Sequence, residues 1–183
     1  MTSGDPLFKI YNGGENIIDR QLHDAVAIGP ERTMEQDPSF AFRIIVDIAA
    51  KALSPAINDP TTAVLALDQI HRLLRTVAGR KLDTGQEYDS NGQLRLLYRT
   101  PEWEDFISLA VTEIRNYGKD SLQVVRRMRA LLENLIAILP PQRAGALKVE
   151  LAVLSRGVEM DFRDPEDRQR DTLADSLGMG GSS

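Results

Sequence analysis

The sequence predicts a mainly α-helical fold: a multi-helix bundle with a small β-hairpin insertion and a short N-terminal strand remnant. Three observations predict it. Aromatic residues are only 5% of the chain while Leu, Ala, Arg and Glu are plentiful, a balance that favours packed helices over a β-sandwich. Apolar residues recur at three- and four-residue spacing over long segments. Those segments are bounded by helix starts and stops. In Asp37-Pro38, Asp59-Pro60, Thr100-Pro101 and Asp164-Pro165 a side-chain acceptor precedes a proline that has no N–H to leave unpaired and a φ already helical. Gly29, Gly79 and Gly118 can take the left-handed conformation that ends a helix.

The elements follow in order. Leu7–Tyr11 reads as the strand remnant, and Asn12-Gly13-Gly14 as a turn. Residues 1–18 form a remnant of an upstream β-rich segment, and 19–177 form the helical domain. Its helices are expected at Asp19–Ile28, Pro38–Leu53, Pro60–Ala78, Pro101–Tyr117, Ser121–Leu139, Gln142–Phe162 and Pro165–Leu177. Between the third and fourth, residues 83–98 hold the hairpin, with Asn91-Gly92 as its turn signal and Leu94–Tyr98 as one strand. Residues 178–183 are a flexible Gly/Ser tail.

Core faces can be read from the period. The fifth helix repeats Val125, Met128, Leu132, Leu135 and Leu139. The sixth repeats Leu147, Leu151, Leu154 and Val158. The fourth aligns Trp103, Phe106, Ala110, Ile114 and Tyr117. The short links at Gly118 and Pro140-Pro141 make these three helices antiparallel neighbours. The second helix looks apolar almost all round, with Arg43, Asp47 and Lys51 as one polar ribbon.

Charge and composition exclude several classes. The net charge of −5 disfavours general nucleic-acid binding, and the local strip Arg126, Arg127 and Arg129 reads as a solvated face. There is no cysteine, so disulfides, thiol catalysis and Cys-ligated zinc are out. The most apolar run, Leu131–Leu139, is broken by Glu133 and Asn134 and is too short to cross a bilayer. No motif assigns a cofactor, a metal or a nucleophile.

The densest polar cluster lies around Glu31-Arg32-Thr33, Gln36-Asp37-Pro38 and the string Leu53-Ser54-Pro55-Ala56-Ile57-Asn58-Asp59-Pro60-Thr61-Thr62-Ala63. These residues, with Glu104-Asp105-Phe106, Ile114-Arg115 and Tyr117-Gly118 downstream, resemble a family of bacterial predicted membrane proteins of unknown function. The resemblance implies an upstream set of transmembrane helices, a β-rich segment and then this domain. It places the chain at the plasma membrane by association, with the chain itself soluble and cytoplasmic. It supplies no catalytic residues.

The residues leave two kinds of role open. Arg32, Arg43, Asp47, Ser54, Asn58, Asp59 and Thr61 are candidate ligand-binding residues, because a helix start offers free N–H groups and a guanidinium suits an anion. Oxygen ligands from Asp37, Asp47, Asp59 and Glu31 would instead suit a hard cation. The structural alternative is that Asp59 caps the third helix, while Ser54 and Asn58 satisfy a buried loop. Arg43, Asp47 and Lys51 would then form an ion-pair ladder. Asp68 and His71, three residues apart, could make a hydrogen-bonded pair. The expected function is a soluble accessory module acting in assembly or ligand sensing. A homo-oligomer and the family's transmembrane half are its expected partners. A regulatory ligand- or ion-binding domain for transport and a metal-dependent hydrolase are the alternatives.

Overall fold

The computed structural model describes residues 18–24 and 38–161. The chain divides into two units, residues 1–32 and 33–183. In the first, the described residues form one short helix, α1 (Asp19–Asp24), with exposed Arg20 Nε 3.8 Å from Asp24 Oδ2 one turn on. The strand remnant at Leu7–Tyr11, the signature residues from Glu31 to Asp37, the seventh helix and the tail lie outside the described residues.

The second unit is the bundle. It runs α2 (Pro38–Ala52), α3 (Pro60–Ala78), β1 (Gln86–Tyr88), β2 (Leu94–Leu97), α4 (Trp103–Tyr117), α5 (Leu122–Ile138) and α6 (Pro141–Asp161). α2 packs on α3 and α4. α3 also packs on α5, α5 on α6, and α6 returns to α4. One continuous core results, with Phe42, Leu67, Ile70, Leu74, Ile107, Ile114, Met128, Leu131, Leu132, Leu135 and Leu147 fully enclosed. The Phe42 and Phe106 rings, with centroids 5.6 Å apart, join α2 to α4 in a tilted pair. The expected stripes of α5 and α6 face this core. That of α4 does so up to Ile114, whereas Tyr117, in its last turn, is 55% exposed.

The structure corrects sequence expectations about α2, α4 and the helix ends. First, α2 is not buried all round. Phe42, Val46, Ala49 and Ala52 face inward, while Ile44 and Ile48 share the exposed side with Arg43, Asp47 and Lys51. An apolar residue need not be inside, because polar surface alone never covers a domain. Second, α4 starts at Trp103 rather than Pro101, with Glu102 at the cap and Asp105 Oδ2 accepting the Glu102 N–H at 3.0 Å. Thr100 does not cap it; its hydroxyl donates to the Asp83 carbonyl at 2.8 Å. Third, α4 packs chiefly on α2 and only lightly on α5, so the close antiparallel pair is α5 with α6.

Fourth, Gly79 and Gly118 end their helices with negative φ, −80° and −97°. Gly118 is needed for space, not for conformation. A Cβ there would lie 2.5 Å from Val124 Cγ1 and 2.9 Å from the Ile114 carbonyl. Gly118→Ala is expected to cost about 1–3 kcal/mol through overpacking. Urea unfolding checks this, and the penalty should shrink in a Val124→Ala background because the two positions share one contact.

The hairpin pairs Gln86 with Leu97, Glu87 with Leu96 and Tyr88 with Leu94, with an irregularity between Glu87 and Tyr88. Asp89 Oδ1 organises its turn by accepting the Asn91 and Gln93 N–H groups, each at 2.9 Å. Of Asn91-Gly92, only Gly92 takes positive φ, +75°.

Candidate functional site

The α2–α3 loop and the first turn of α3 carry four of the candidate residues, Ser54, Asn58, Asp59 and Thr61. Asp59 accepts the Thr62 N–H on Oδ1 at 3.1 Å, and Thr62 Oγ1 donates to Oδ2 at 2.5 Å. These bonds, the hydroxyl's first, hold the Asp59 carboxyl below its ordinary range. Its own N–H returns to the Ala52 carbonyl at 2.8 Å, pinning the start of α3 to the end of α2. The Ser54 hydroxyl donates to the Lys51 carbonyl at 2.8 Å, and the Ser54 carbonyl accepts from Ile57 and Asn58. Asn58 completes the reversal at φ +48°. Asn58 and Thr61 are exposed; Ser54 and Asp59 are half-buried.

Arg43 and Asp47 lie on the exposed side of α2, and Arg32 lies outside the described residues. No ladder forms: among the described residues no salt bridge joins Arg43, Asp47 and Lys51.

Asp59→Ala is expected to lower Tm by about 2–4 °C, through the lost cap. Because the folded pKa is depressed, this stabilisation is present above the ordinary carboxylate pKa. It is lost as pH falls through the folded value. Melts of the wild type and variant should therefore converge in acid.

The polar centre that sequence reading missed joins α3 to α5. Arg126, Arg127 and Arg129, expected on a solvated face, are 6%, 7% and 8% exposed. The reason is enclosure: α5 meets α3, α6 and α4, so positions off its main stripe still face protein. Arg127 Nε donates to Asp68 Oδ1 at 2.5 Å, and its Nη2 lies 3.4 Å from His71 Nδ1. Since arginine only donates, Nδ1 accepts and the His71 proton sits on Nε2, which meets Asn134 Oδ1 at 2.9 Å. Burial pushes the imidazole below its usual range and the Arg127 charge adds to the effect, while the Asn134 bond opposes it. Arg129 donates to the Ser155 hydroxyl at 3.3 Å, tying α5 to α6, and lies 3.8 Å from Glu133 one turn on along α5. The available signal was the Asp68–His71 spacing, combined with three arginines in a helix whose residues from Leu122 to Leu132 are otherwise apolar except for Gln123.

A cleft of about 490 Å³ opens at the root of the hairpin, where α4 and α6 both begin. Asp83 organises it. Its carboxylate accepts the Gly85 N–H at 2.9 Å and the Tyr98 hydroxyl at 2.7 Å, and its carbonyl accepts from Thr100. The Tyr98 bond, with that of Gly85, holds Asp83 below its usual range, and the same Tyr98 hydroxyl is pushed up to about 12. Gly85, at φ +67°, admits no side chain, because a Cβ would collide with the Tyr98 carbonyl. On the far wall, Trp103 Nε1 donates to the Arg143 carbonyl at 2.8 Å, and the Arg143 guanidinium carbon lies 5.3 Å from the indole centroid. Glu102 and Glu104 complete an acidic rim. Among the described residues no group of three or more His, Cys, Asp or Glu is placed to hold a metal ion.

These features define a helical-bundle domain carrying a β-hairpin arm, and no described helix is long and apolar enough to cross a membrane. Residues 1–134 match the family described as predicted membrane protein (DUF2254), and the chain belongs to that family. It is similar to uncharacterized proteins of Mycobacterium bovis and of two strains of Mycobacterium tuberculosis. Identity is 34% over 147 residues, which is 78% of this chain and 28% of each relative. The chain thus spans well under a third of the length of these relatives. No solved structure matches it.

Proposed function

We propose that this chain is an accessory module of its membrane protein family that acts in assembly, with its hairpin pairing to the hairpin of a second copy. The exposure of that hairpin carries the reading. Every residue of β1 and β2 is exposed, including Tyr88 at 56%, Leu94 at 49%, Leu96 at 44% and Leu97 at 69%. A two-stranded ribbon is marginal alone and presents unpaired backbone groups on both edges.

Cross-strand charge selects the edge. Self-pairing through β1 centred on Glu87 sets that carboxylate against its own copy, which destabilises. Antiparallel self-pairing through β2 centred on Leu96 sets Leu96 against its own copy, Arg95 against Leu97 and Leu94 against Tyr98, with no like charges opposed.

Light scattering tests this. A dimeric mass is expected, becoming monomeric in Leu97→Arg, where the new cation opposes Arg95 of the second copy. It should be retained in Leu97→Glu, where the new carboxylate faces Arg95 and the charges are opposite. A monomeric wild type at high concentration would overturn the proposal. The hairpin lies outside the helical core, so helical circular dichroism should be unchanged in both variants.

A further inference from the structure

A second cleft, of about 340 Å³, lies on the bundle between the end of α4, the start of α5 and the C-terminal half of α6. Its walls combine two chemistries. Three cationic residues, Arg115, Lys119 and Arg156, line it together with the apolar Val125, Val153, Leu154 and Val158. Val125, Leu154 and Val158 are 3–5% exposed and so belong to the rigid core rather than to a mobile surface. Arg115 is oriented from one side. Its Nε donates to Glu150 Oε2 at 3.3 Å and its Nη1 to Asn116 Oδ1 at 3.4 Å, both side chains of the pair being largely covered. Three cations gathered in one concavity oppose the sign of a chain whose net charge is −5.

We propose that this cleft binds a small amphipathic anion, with a carboxylate or phosphate head between Arg115, Lys119 and Arg156 and a short hydrocarbon body against the valine-rich lining. The volume lies at the lower end of that of small-molecule sites, and an apolar lining with a few convergent polar groups is their usual composition. Guanidinium groups recognise planar or tetrahedral oxyanions through paired N–H donors, which favours an oxyanion over a halide. This site is separate from the hairpin seam, and its failure would leave the assembly reading untouched.

Gly157 provides a clean test. It lines the cleft, and a Cβ there meets no atom within 4 Å. Gly157→Leu therefore fills the cleft from an open position, and replacing a helical glycine should hold or raise Tm. Octanoate and octyl phosphate are titrated calorimetrically into the full chain, with inorganic phosphate and octanol as half-ligands. Saturable binding of the two amphipathic anions is expected, at least tenfold tighter than either half-ligand. Arg156→Gln should weaken it about tenfold, and Gly157→Leu should abolish it with Tm preserved. Vesicles containing an anionic phospholipid separate a membrane headgroup from a free anion. Vesicle binding lost in Gly157→Leu assigns the headgroup to the cleft. Absence of saturable octanoate or octyl phosphate binding would overturn the proposal, as would binding unchanged in both variants or vesicle binding that survives Gly157→Leu. If the cations only complement the ends of the helices, Arg156→Gln lowers Tm without changing affinity, and the site is refuted.

Discussion

Arg127→Met is expected to destabilise the domain by about 3 kcal/mol, a fall of roughly 6–12 °C in Tm. The argument rests on what the substitution leaves behind. Methionine fills most of the space of the arginine stem. However, Asp68 keeps a charge whose partner at 2.5 Å is gone, and His71 loses the donor to its Nδ1. Breaking a buried pair by removing one member costs about 3–5 kcal/mol. The lower end applies because the Asp68 side chain is 31% exposed and water can reach it, whereas the Arg127 side chain is only 9% exposed. Adding Asp68→Leu to the first change should recover part of the loss, since the stranded carboxylate is then removed as well. Denaturant unfolding of the two single variants and the double variant measures the coupling. A single-variant loss below about 1 kcal/mol would reduce the pair to the rank of a surface ion pair.

Trp103→Ala is expected to cost about 3–5 kcal/mol, the range for truncating a buried large aromatic side chain. Trp103 is 2% exposed and begins α4, so its ring reaches both the core and the hairpin-root cleft. Its loss removes apolar contact with the core, the hydrogen bond to the Arg143 carbonyl and the stacking surface of the guanidinium. Trp103→Phe separates these contributions. It keeps much of the ring's burial and loses the N–H donor, so about 1–2 kcal/mol is expected for a carbonyl that water at the cleft can partly satisfy. Thermal melts with intrinsic fluorescence read from tyrosine would check both. Equal losses in the two variants would mean that the hydrogen bond, not the packing, holds the starts of α4 and α6 together.

The parts of the fold that were legible in sequence are those decided by short-range chemistry. Asp59-Pro60 marked the start of α3, because a cap and a preset φ act within one turn. The Leu147, Leu154 and Val158 stripe marked the inner face of α6, because helical period alone sets which residues share a side. What was misread depends on neighbours distant in sequence. Thr100 looked like a cap until the Asp83 carbonyl, across the hairpin, claimed its hydroxyl. Arg126, Arg127 and Arg129 looked solvated because periodicity gives direction around one helix and not the number of helices around it. Ile44 and Ile48 looked buried for the same reason in reverse. Ser54, Asn58, Asp59 and Thr61 lie together around one helix start simply because they are near neighbours in the chain. The two clefts each draw on several elements and left no local signature.

The bonds that close the α2–α3 loop have a kinetic consequence. Every one of them, from Ser54 with Lys51 to Asp59 with Ala52 and Thr62, joins residues within a single short stretch of chain. Closing so small a loop sacrifices little chain entropy, so this helical hairpin can assemble before the more distant pairing of α3 with α5. α2 and α3 would then present their shared apolar face as a template on which α4 and α5 condense. A weakened loop would show itself first as slower refolding, with the escape rate from the native state much less affected.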